Sequence, residues 1–162
     1  MSEMTGDWKR AEYVVKNFTK LARKPLIKAT AKSAQIIEAT LVKHMQNQDL
    51  GWASLSAAYK KFKERKKLSN QILIATSTLM NSITHQIVDG GLGAFVGVLR
   101  TAKGRDGKQE VMIAAVHEFG SGVRNIPARP LFRPTFKEVK PMVLKIYQKA
   151  LSDALATVAK GG

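Results

Sequence analysis

The chain has 162 residues, of which 44% are hydrophobic and 24% are charged, and this composition is ordinary for one soluble globular domain. It contains no cysteine, which excludes disulfides and thiolate metal sites, and it shows neither a signal peptide nor an apolar run of the roughly 18 residues that span a bilayer. The charge is unusual, because 27 Lys and Arg residues against 12 Asp and Glu residues give a net charge of +15, which attracts nucleic acid or acidic protein surfaces without reading a base sequence.

The first fifty residues carry a helical pattern. Apolar residues recur every three or four positions from Trp8 to Ala22, which predicts a helix over about 7–23. Pro25 interrupts this pattern, and the same spacing resumes from Ile27 to Met45. We therefore predict a helical N-terminal region over 1–50 that is divided at the proline.

A third apolar stripe follows Gly51. It includes Leu55, Tyr59 and Phe62, and Ser54 is its predicted N-cap. The stripe runs into the basic segment 60–67, which is typical either of a solvated helix face or of a nucleic-acid contact. The second interpretation lacks the interleaved aromatic residues of a stacking platform. Further along, Thr76 is predicted to cap a short helix.

The middle of the chain indicates a small sheet. Strands are predicted over 84–88 and 94–100, around a glycine-rich turn at 90–93. Residues 110–114 form a third strand, or 111–119 form a short helix, and periodicity does not distinguish these alternatives. The polar loop before them holds four cations among glycines, and it is either a floppy surface hairpin or a mobile arm that faces DNA or an acidic partner. These cations are Arg100, Lys103, Arg105 and Lys108.

The C-terminal third begins with a proline-rich segment, 126–134, whose three prolines predict a stiff, extended backbone. A long helix is predicted over 135–159, in which Pro141 is tolerated in the first turn and kinks the helix elsewhere. The predicted fold class is α+β, with a small, mostly antiparallel sheet flanked by helices and a long helix at each end. We expect one domain over 1–162, since no linker divides the chain.

No pattern in the chain predicts catalysis. His117 and Glu118 resemble the start of a helical zinc motif, but position 121 holds Ser where a second His is needed. The glycines at 90–93 are not followed by the Lys and Ser or Thr of a phosphate-binding loop, and no Gly-x-Ser-x-Gly is present. We therefore predict a protein that is not an enzyme and has no catalytic, cofactor-binding or metal-binding residues.

Four motifs in a fixed order carry a family resemblance. They are Trp-Ala-Ser-Leu-Ser at 52–56, the segment 72–83, Val-His-Glu-Phe-Gly-Ser at 116–121 and the segment 126–134. This set resembles the virion-morphogenesis and tail-completion family of long-tailed bacteriophages, which includes neck proteins, and the resemblance spans 51–143. The chain departs from the family pattern at 76–79, where Thr-Ser-Thr-Leu replaces Thr-Gly-x-Leu, and at Leu131, where the family has Phe.

The resemblance implies a structural protein of the phage neck or tail top, with a tail-completion, tail-terminator or head–tail joining role. Such a protein forms a homo-oligomeric ring, of six copies by the same resemblance, which docks the tail to the head-side connector. Its neighbours are head-completion or adaptor proteins and tail-tube or sheath proteins, with non-specific contact to genomic DNA and none to a membrane. It is located in the virion after assembly in the host cytoplasm. The alternative function is a basic DNA-binding protein.

The segment 126–134 is the predicted subunit interface, because a stiff arm loses little entropy on docking and its arginines can engage carboxylates bidentately. The other interpretation is that the segment packs the long helix onto the subunit's own sheet. The predicted interface residues are Phe119, Arg129, Pro130, Leu131, Phe132 and Arg133. The predicted core residues are Trp52, Leu55, Tyr59, Leu79, Ile83, Phe119 and Phe136.

Overall fold

The computed structural model describes residues 8–104 and 107–160. It confirms the α+β class, since two antiparallel strands are flanked by helices and the longest helices lie at the two ends of the chain. The elements are α1 (Trp8–Asn47), α2 (Ala57–Arg65), α3 (Thr78–Asn81), β1 (Ile83–Val88), β2 (Gly93–Val98), α4 (Glu110–Phe119) and α5 (Phe132–Lys160).

The N-terminal region is helical as predicted, and the interruption of the apolar pattern at Pro25 does not end the helix, because α1 is one helix with Pro25 inside it. An interior proline removes one backbone hydrogen bond and crowds the preceding turn, at a cost of about 3 kcal/mol. The helix continues because Lys24 and Leu26 are strong helix formers and the apolar spacing resumes directly. Pro141 likewise lies inside α5 and not in its first turn, because α5 begins at Phe132.

The structure decides between the two alternatives for residues 110–119 and changes one boundary. Residues 110–119 form helix α4, the helical alternative, and not a third strand, with Glu110, Ala114 and Glu118 buried at a helical spacing of four. Helix α5 begins three residues earlier than predicted, so the last part of the proline-rich segment is helical and not extended. Pro134 is compatible with this start, because the first turn of a helix does not need its N–H.

The N-cap of α2 is Ser56 and not Ser54, since the Ser56 hydroxyl accepts a hydrogen bond from the Tyr59 N–H at 3.2 Å. The N-cap of α3 is Ser77, which has a left-handed backbone with φ of 60°. This is the position at which the resembling family has glycine, the residue that adopts such a backbone without strain. The departure at 76–79 therefore leaves the turn in the shape that glycine favours.

We expect Ser77→Gly to stabilise the protein by about 0.5–1 kcal/mol, because relief of the left-handed strain exceeds the extra entropy of the unfolded glycine. The measurement is urea unfolding followed by circular dichroism. The matched control is Ser82→Gly, at the other end of α3, where the backbone is right-handed and the hydroxyl donates to the Leu79 carbonyl. That change should destabilise the protein, and equal effects of the two variants would contradict the strain at Ser77.

The chain forms two compact units. The core unit comprises Ala34–Gln86 and Phe95–Lys140, and the terminal unit comprises Met1–Ser33, Ile87–Ala94 and Pro141–Gly162. The apolar core of the core unit consists of Leu41, Met45, Trp52, Ile74, Leu79, Ile83, Val98, Ala114 and Leu131.

The prediction of the core is confirmed for Trp52, Leu79 and Ile83, and Leu55 is also buried. It is wrong for Tyr59, Phe119 and Phe136, each of which is at least 40% exposed. Helical spacing predicts a buried position for these three aromatic side chains, but the core is formed by Trp52 and by mostly aliphatic residues from other parts of the chain.

Candidate assembly site

The carboxylate of Glu118 caps the start of α5. Its oxygens accept hydrogen bonds from the backbone N–H groups of Leu131 at 2.7 Å, Phe132 at 2.9 Å and Arg133 at 3.0 Å. These donors have no partner inside their own helix, and the positive end of the helix dipole favours a negative group there. Glu118 is 5% exposed, so it fixes the end of α4 to the start of α5 from the interior.

Burial by itself raises the pKa of Glu118, because a buried carboxylate loses its hydration. The hydrogen bonds from the backbone N–H groups of Arg133, Leu131 and Phe132, and from the Arg133 side chain, outweigh burial and hold the pKa below its ordinary value. The group is therefore ionised at neutral pH, and its ionised form stabilises the folded protein.

The first and last of the four ordered motifs contact each other through hydrogen bonds. The Trp52 indole N–H donates to the Pro130 carbonyl at 2.7 Å, which fixes the proline-rich segment against the chain before α2. The Arg129 guanidinium donates to the carbonyls of Ala53 at 2.9 Å and Ser54 at 3.4 Å. Motifs that are more than seventy residues apart in the sequence thus form one hydrogen-bonded structure.

A glycine at the end of α4 allows the backbone there to lie close to the start of the proline-rich segment. Gly120 has φ of 78° and ψ of 178°, a backbone that side chains with a Cβ rarely adopt. A Cβ at this position would lie 3.0 Å from both the Ile126 carbonyl oxygen and the Ala128 nitrogen. The turn that follows is closed by two backbone hydrogen bonds of 2.9 Å between Ser121 and Ile126.

Two of the predicted interface residues remain exposed on this rigid frame. Phe119 is 69% exposed, and the Arg133 side chain extends over its ring with Cζ 5.1 Å from the ring centroid. Arg133 also bonds the Glu118 carboxylate through Nε at 3.2 Å. The aromatic ring and the cation are therefore held in a fixed geometry toward solvent, a type of pair that is enriched at protein interfaces.

The exposed apolar surface extends along α4. Met112 and Phe119 are exposed and share one face of α4 with the half-buried Val116, at spacings of four and three. Val123 in the following turn is fully exposed. An open groove of about 620 Å³ runs beside Met112 and Val116 and has Arg124 in its lining. We call Met112, Val116, Phe119, Val123 and Arg133 the assembly patch.

Some of the six predicted interface residues are buried inside the subunit and others face solvent. Arg129 is 6% exposed and Leu131 belongs to the core, so both serve the interior of the subunit, as the other interpretation of 126–134 had it. The expectation that the Arg129 guanidinium faces a partner is wrong, because it donates its hydrogen bonds to backbone carbonyls of the same subunit. Pro130 and Phe132 are half-buried, which leaves Phe119 and Arg133 as the outward-facing members.

The predicted cationic loop connects β2 to α4 and does not join two strands. Arg100, Lys103 and Lys108 are exposed there, and Arg105 lies outside the described residues. The base of the loop is closed by a bridge between Lys103 and Gln109. Contact of these cations with DNA or an acidic partner stays a prediction.

One member of the basic segment 60–67 points inward. Lys63 is 2% exposed, and its ammonium donates to the carbonyls of Gln71 at 2.8 Å and Ile74 at 3.3 Å. Burial lowers the pKa of Lys63, and the nearby Arg129 lowers it further. Lys63 therefore holds the loop before α3 and is removed from any nucleic-acid contact, whereas its basic neighbours are exposed.

Lys63 and His117 line a cavity of about 400 Å³ in the core unit. Burial lowers the pKa of His117, with a smaller contribution from Arg129, so the imidazole is neutral at pH 7. Among residues 8–104 and 107–160, no group of three or more His, Asp or Glu residues is placed to hold a metal ion. No helix in this part of the chain combines the length and the apolar character that crossing a membrane requires.

Comparison with known proteins gives one relative. The uncharacterized protein MJ0331 of Methanocaldococcus jannaschii is 30% identical over 115 residues, which cover 71% of this chain and 78% of that protein. This chain belongs to the MJ0331 family. No family model and no solved structure matches the chain.

Proposed function

We propose that this protein is a structural subunit of a virus particle, at the neck or tail top of a long-tailed phage, and that it acts by forming a homo-oligomeric ring. The ordered motifs between 51 and 143 support this proposal by resemblance, which also favours six copies. In this role the protein catalyses no reaction and presents a rigid surface that joins the tail to the head-side connector.

The observation that carries the proposal is that Phe119 is exposed on a backbone held by buried hydrogen bonds. Glu118 binds the start of α5, and Trp52 and Arg129 bind the proline-rich segment. Gly120 allows the end of α4 to approach that segment closely. This frame needs no reorganisation on docking, so little entropy is lost when a neighbour covers the assembly patch. A ring repeats one such heterologous contact by rotation until it closes.

The net charge of +15 opposes association between copies, since like charges repel at each interface. Apolar burial at the assembly patch offsets this repulsion, and salt screens it over about 8 Å at physiological ionic strength. A polyanion inside the ring offsets the repulsion between copies more strongly than salt does. A positively charged ring is therefore suited to a channel that carries DNA. We therefore expect assembly to be promoted by salt and by DNA.

The test is sedimentation velocity and negative-stain electron microscopy of the purified protein, with and without a short DNA duplex. We expect closed rings, and we expect Phe119→Gln to raise the concentration for half-assembly by roughly tenfold or more, because burial of an aromatic side chain contributes about 1.5–3 kcal/mol per contact. The control is Phe62→Gln on α2, which is also exposed but lies outside the assembly patch. Monomers under all these conditions, or equal effects of the two variants, would contradict the proposal.

The second candidate function, a basic DNA-binding protein, is favoured by the same net charge. It predicts monomers that bind duplex DNA with an affinity that falls steeply as salt rises. In that case Phe119→Gln should leave DNA binding unchanged, because an exposed aromatic ring beside one arginine does not read phosphates.

A further inference from the structure

The second half of α5 carries an apolar face that the described chain leaves partly exposed. Leu144, Leu151 and Leu155 are 51%, 36% and 48% exposed, and their spacings of seven and four place them on one side of the helix. Ala154 and Tyr147, which are buried and half-buried, lie on a different side. We call Leu144, Leu151 and Leu155 the leucine stripe.

The terminal unit exposes many of its large apolar side chains. Among its described residues the fully buried apolar side chains are those of Ala22, Ala29 and Ala154, and larger ones such as Leu26 and Ile27 are half-buried. Ten large apolar side chains described in this unit are at least 36% exposed, and exposed apolar surface of this extent indicates a contact site for a partner. They are Trp8, Tyr13, Val15, Ile87, Val88, Leu92, Met142, Leu144, Leu151 and Leu155.

The spacing of the leucine stripe indicates the shape of the partner. Leucines seven and four apart occupy the seam positions of a heptad, into which the side chains of a second helix insert. The intervening seam position is the polar Gln148, and a polar seam residue selects register and partner at some cost in affinity. The stripe extends roughly 17 Å along the helix, which suits one helix of about three turns and a modest affinity.

The charge around the stripe indicates the chemistry of the partner. Lys145 occupies a position that flanks the seam, is exposed, and forms no ion pair with any residue in the described ranges. The segments of the terminal unit contain eleven Lys and Arg residues and five Asp and Glu residues. A second copy of this chain would bring the same positive charge to the contact, whereas a helix with carboxylates beside its seam is complementary.

We propose that the leucine stripe of α5 docks an acidic amphipathic helix of a different protein, with apolar side chains in the seam and a carboxylate against Lys145. This surface is separate in sequence from the assembly patch and gives the protein a second, heterotypic contact. A subunit that joins copies of itself through α4 thereby recruits another component through α5.

The probe is a synthetic helical peptide of four heptads, with leucine at the seam positions and glutamate at the flanking positions. Two comparison peptides carry lysine at the flanking positions or glutamine in the seam. Binding to the full chain is measured by fluorescence anisotropy as a function of salt. We expect only the acidic leucine peptide to bind, with an affinity that decreases as salt rises.

Leu151→Gln with Leu155→Gln should weaken binding of the acidic leucine peptide by about tenfold or more, and Lys145→Glu should weaken it by about threefold or more. The control is Lys149→Gln with Asp153→Gln, which has the same spacing on another exposed side of α5 and leaves the net charge unchanged. All these positions are exposed, so the variants should remain folded, as thermal melts will verify.

Several results would overturn the proposal. They are equal binding of the lysine peptide, unchanged affinity of the leucine variant, self-association that the leucine variant abolishes, and stripe-dependent binding to phosphatidylglycerol vesicles. The last two would identify a second copy or a lipid surface as the occupant. Phe119→Gln should leave peptide binding unchanged, so failure of this proposal and failure of ring assembly are distinguishable.

Discussion

Arg129→Glu should destabilise the core unit by more than about 4 kcal/mol and leave little folded protein at 37 °C. The substitution places a carboxylate in a position that is 6% exposed, against the carbonyl oxygens of Ala53 and Ser54. An uncompensated buried charge of this kind costs about 3–5 kcal/mol, and two lost charge-assisted hydrogen bonds add to it. Chemical unfolding followed by tryptophan fluorescence measures the loss, because Trp52 lies beside the arginine's carbonyl partners.

The matched control is Arg124→Glu, which makes the same charge change at an exposed position in the turn before the proline-rich segment. Surface charge changes of this kind usually alter the free energy of unfolding by less than about 0.5 kcal/mol. Arg129→Lys separates charge from shape, since lysine keeps the charge but loses the planar donors, and it should give an intermediate loss. A wild-type melting curve for Arg129→Glu would show that this side chain faces solvent, as the sequence alone suggested.

Glu118→Gln should destabilise the protein by about 2–4 kcal/mol at pH 7. The neutral amide keeps the size of the side chain but places N–H donors against the N–H groups of Leu131, Phe132 and Arg133. Hydrogen bonds to a charged group contribute about 1.5–3 kcal/mol, and buried donors without a partner cost about 1–3 kcal/mol. Urea unfolding of the wild type and the variant measures the difference.

The pH dependence of this difference follows from the lowered pKa of Glu118. A group whose folded pKa lies below its unfolded value stabilises the fold above the unfolded pKa, and this stabilisation is lost as pH falls through the folded pKa. The gap between wild type and Glu118→Gln should therefore be full above about pH 5.5 and shrink below pH 4.5, the ordinary value for glutamate. Glu64→Gln is the control, because that carboxylate is exposed. A gap that does not change with pH would contradict ionisation of Glu118 in the folded protein.

The ordered motifs between 51 and 143 contain residues with specific structural roles. Ser77 in the second motif has a left-handed backbone, a conformation that glycine favours. Trp52, Glu118 and Arg129 form the hydrogen bonds that hold the proline-rich segment. Membership of the phage family stays a prediction.

The fold class, the long helices at both ends and the two strands could be predicted from the amino-acid sequence, because apolar spacing and glycine-rich turns act over short distances. The direction in which individual side chains face was settled only by tertiary packing. Arg129 and Lys63 were predicted from the sequence as surface cations and are buried on backbone carbonyls, while Phe119, predicted both for the core and for the interface, is exposed. The physical reason is that the partners of these side chains are supplied by segments distant in the sequence, and local spacing carries no information about them.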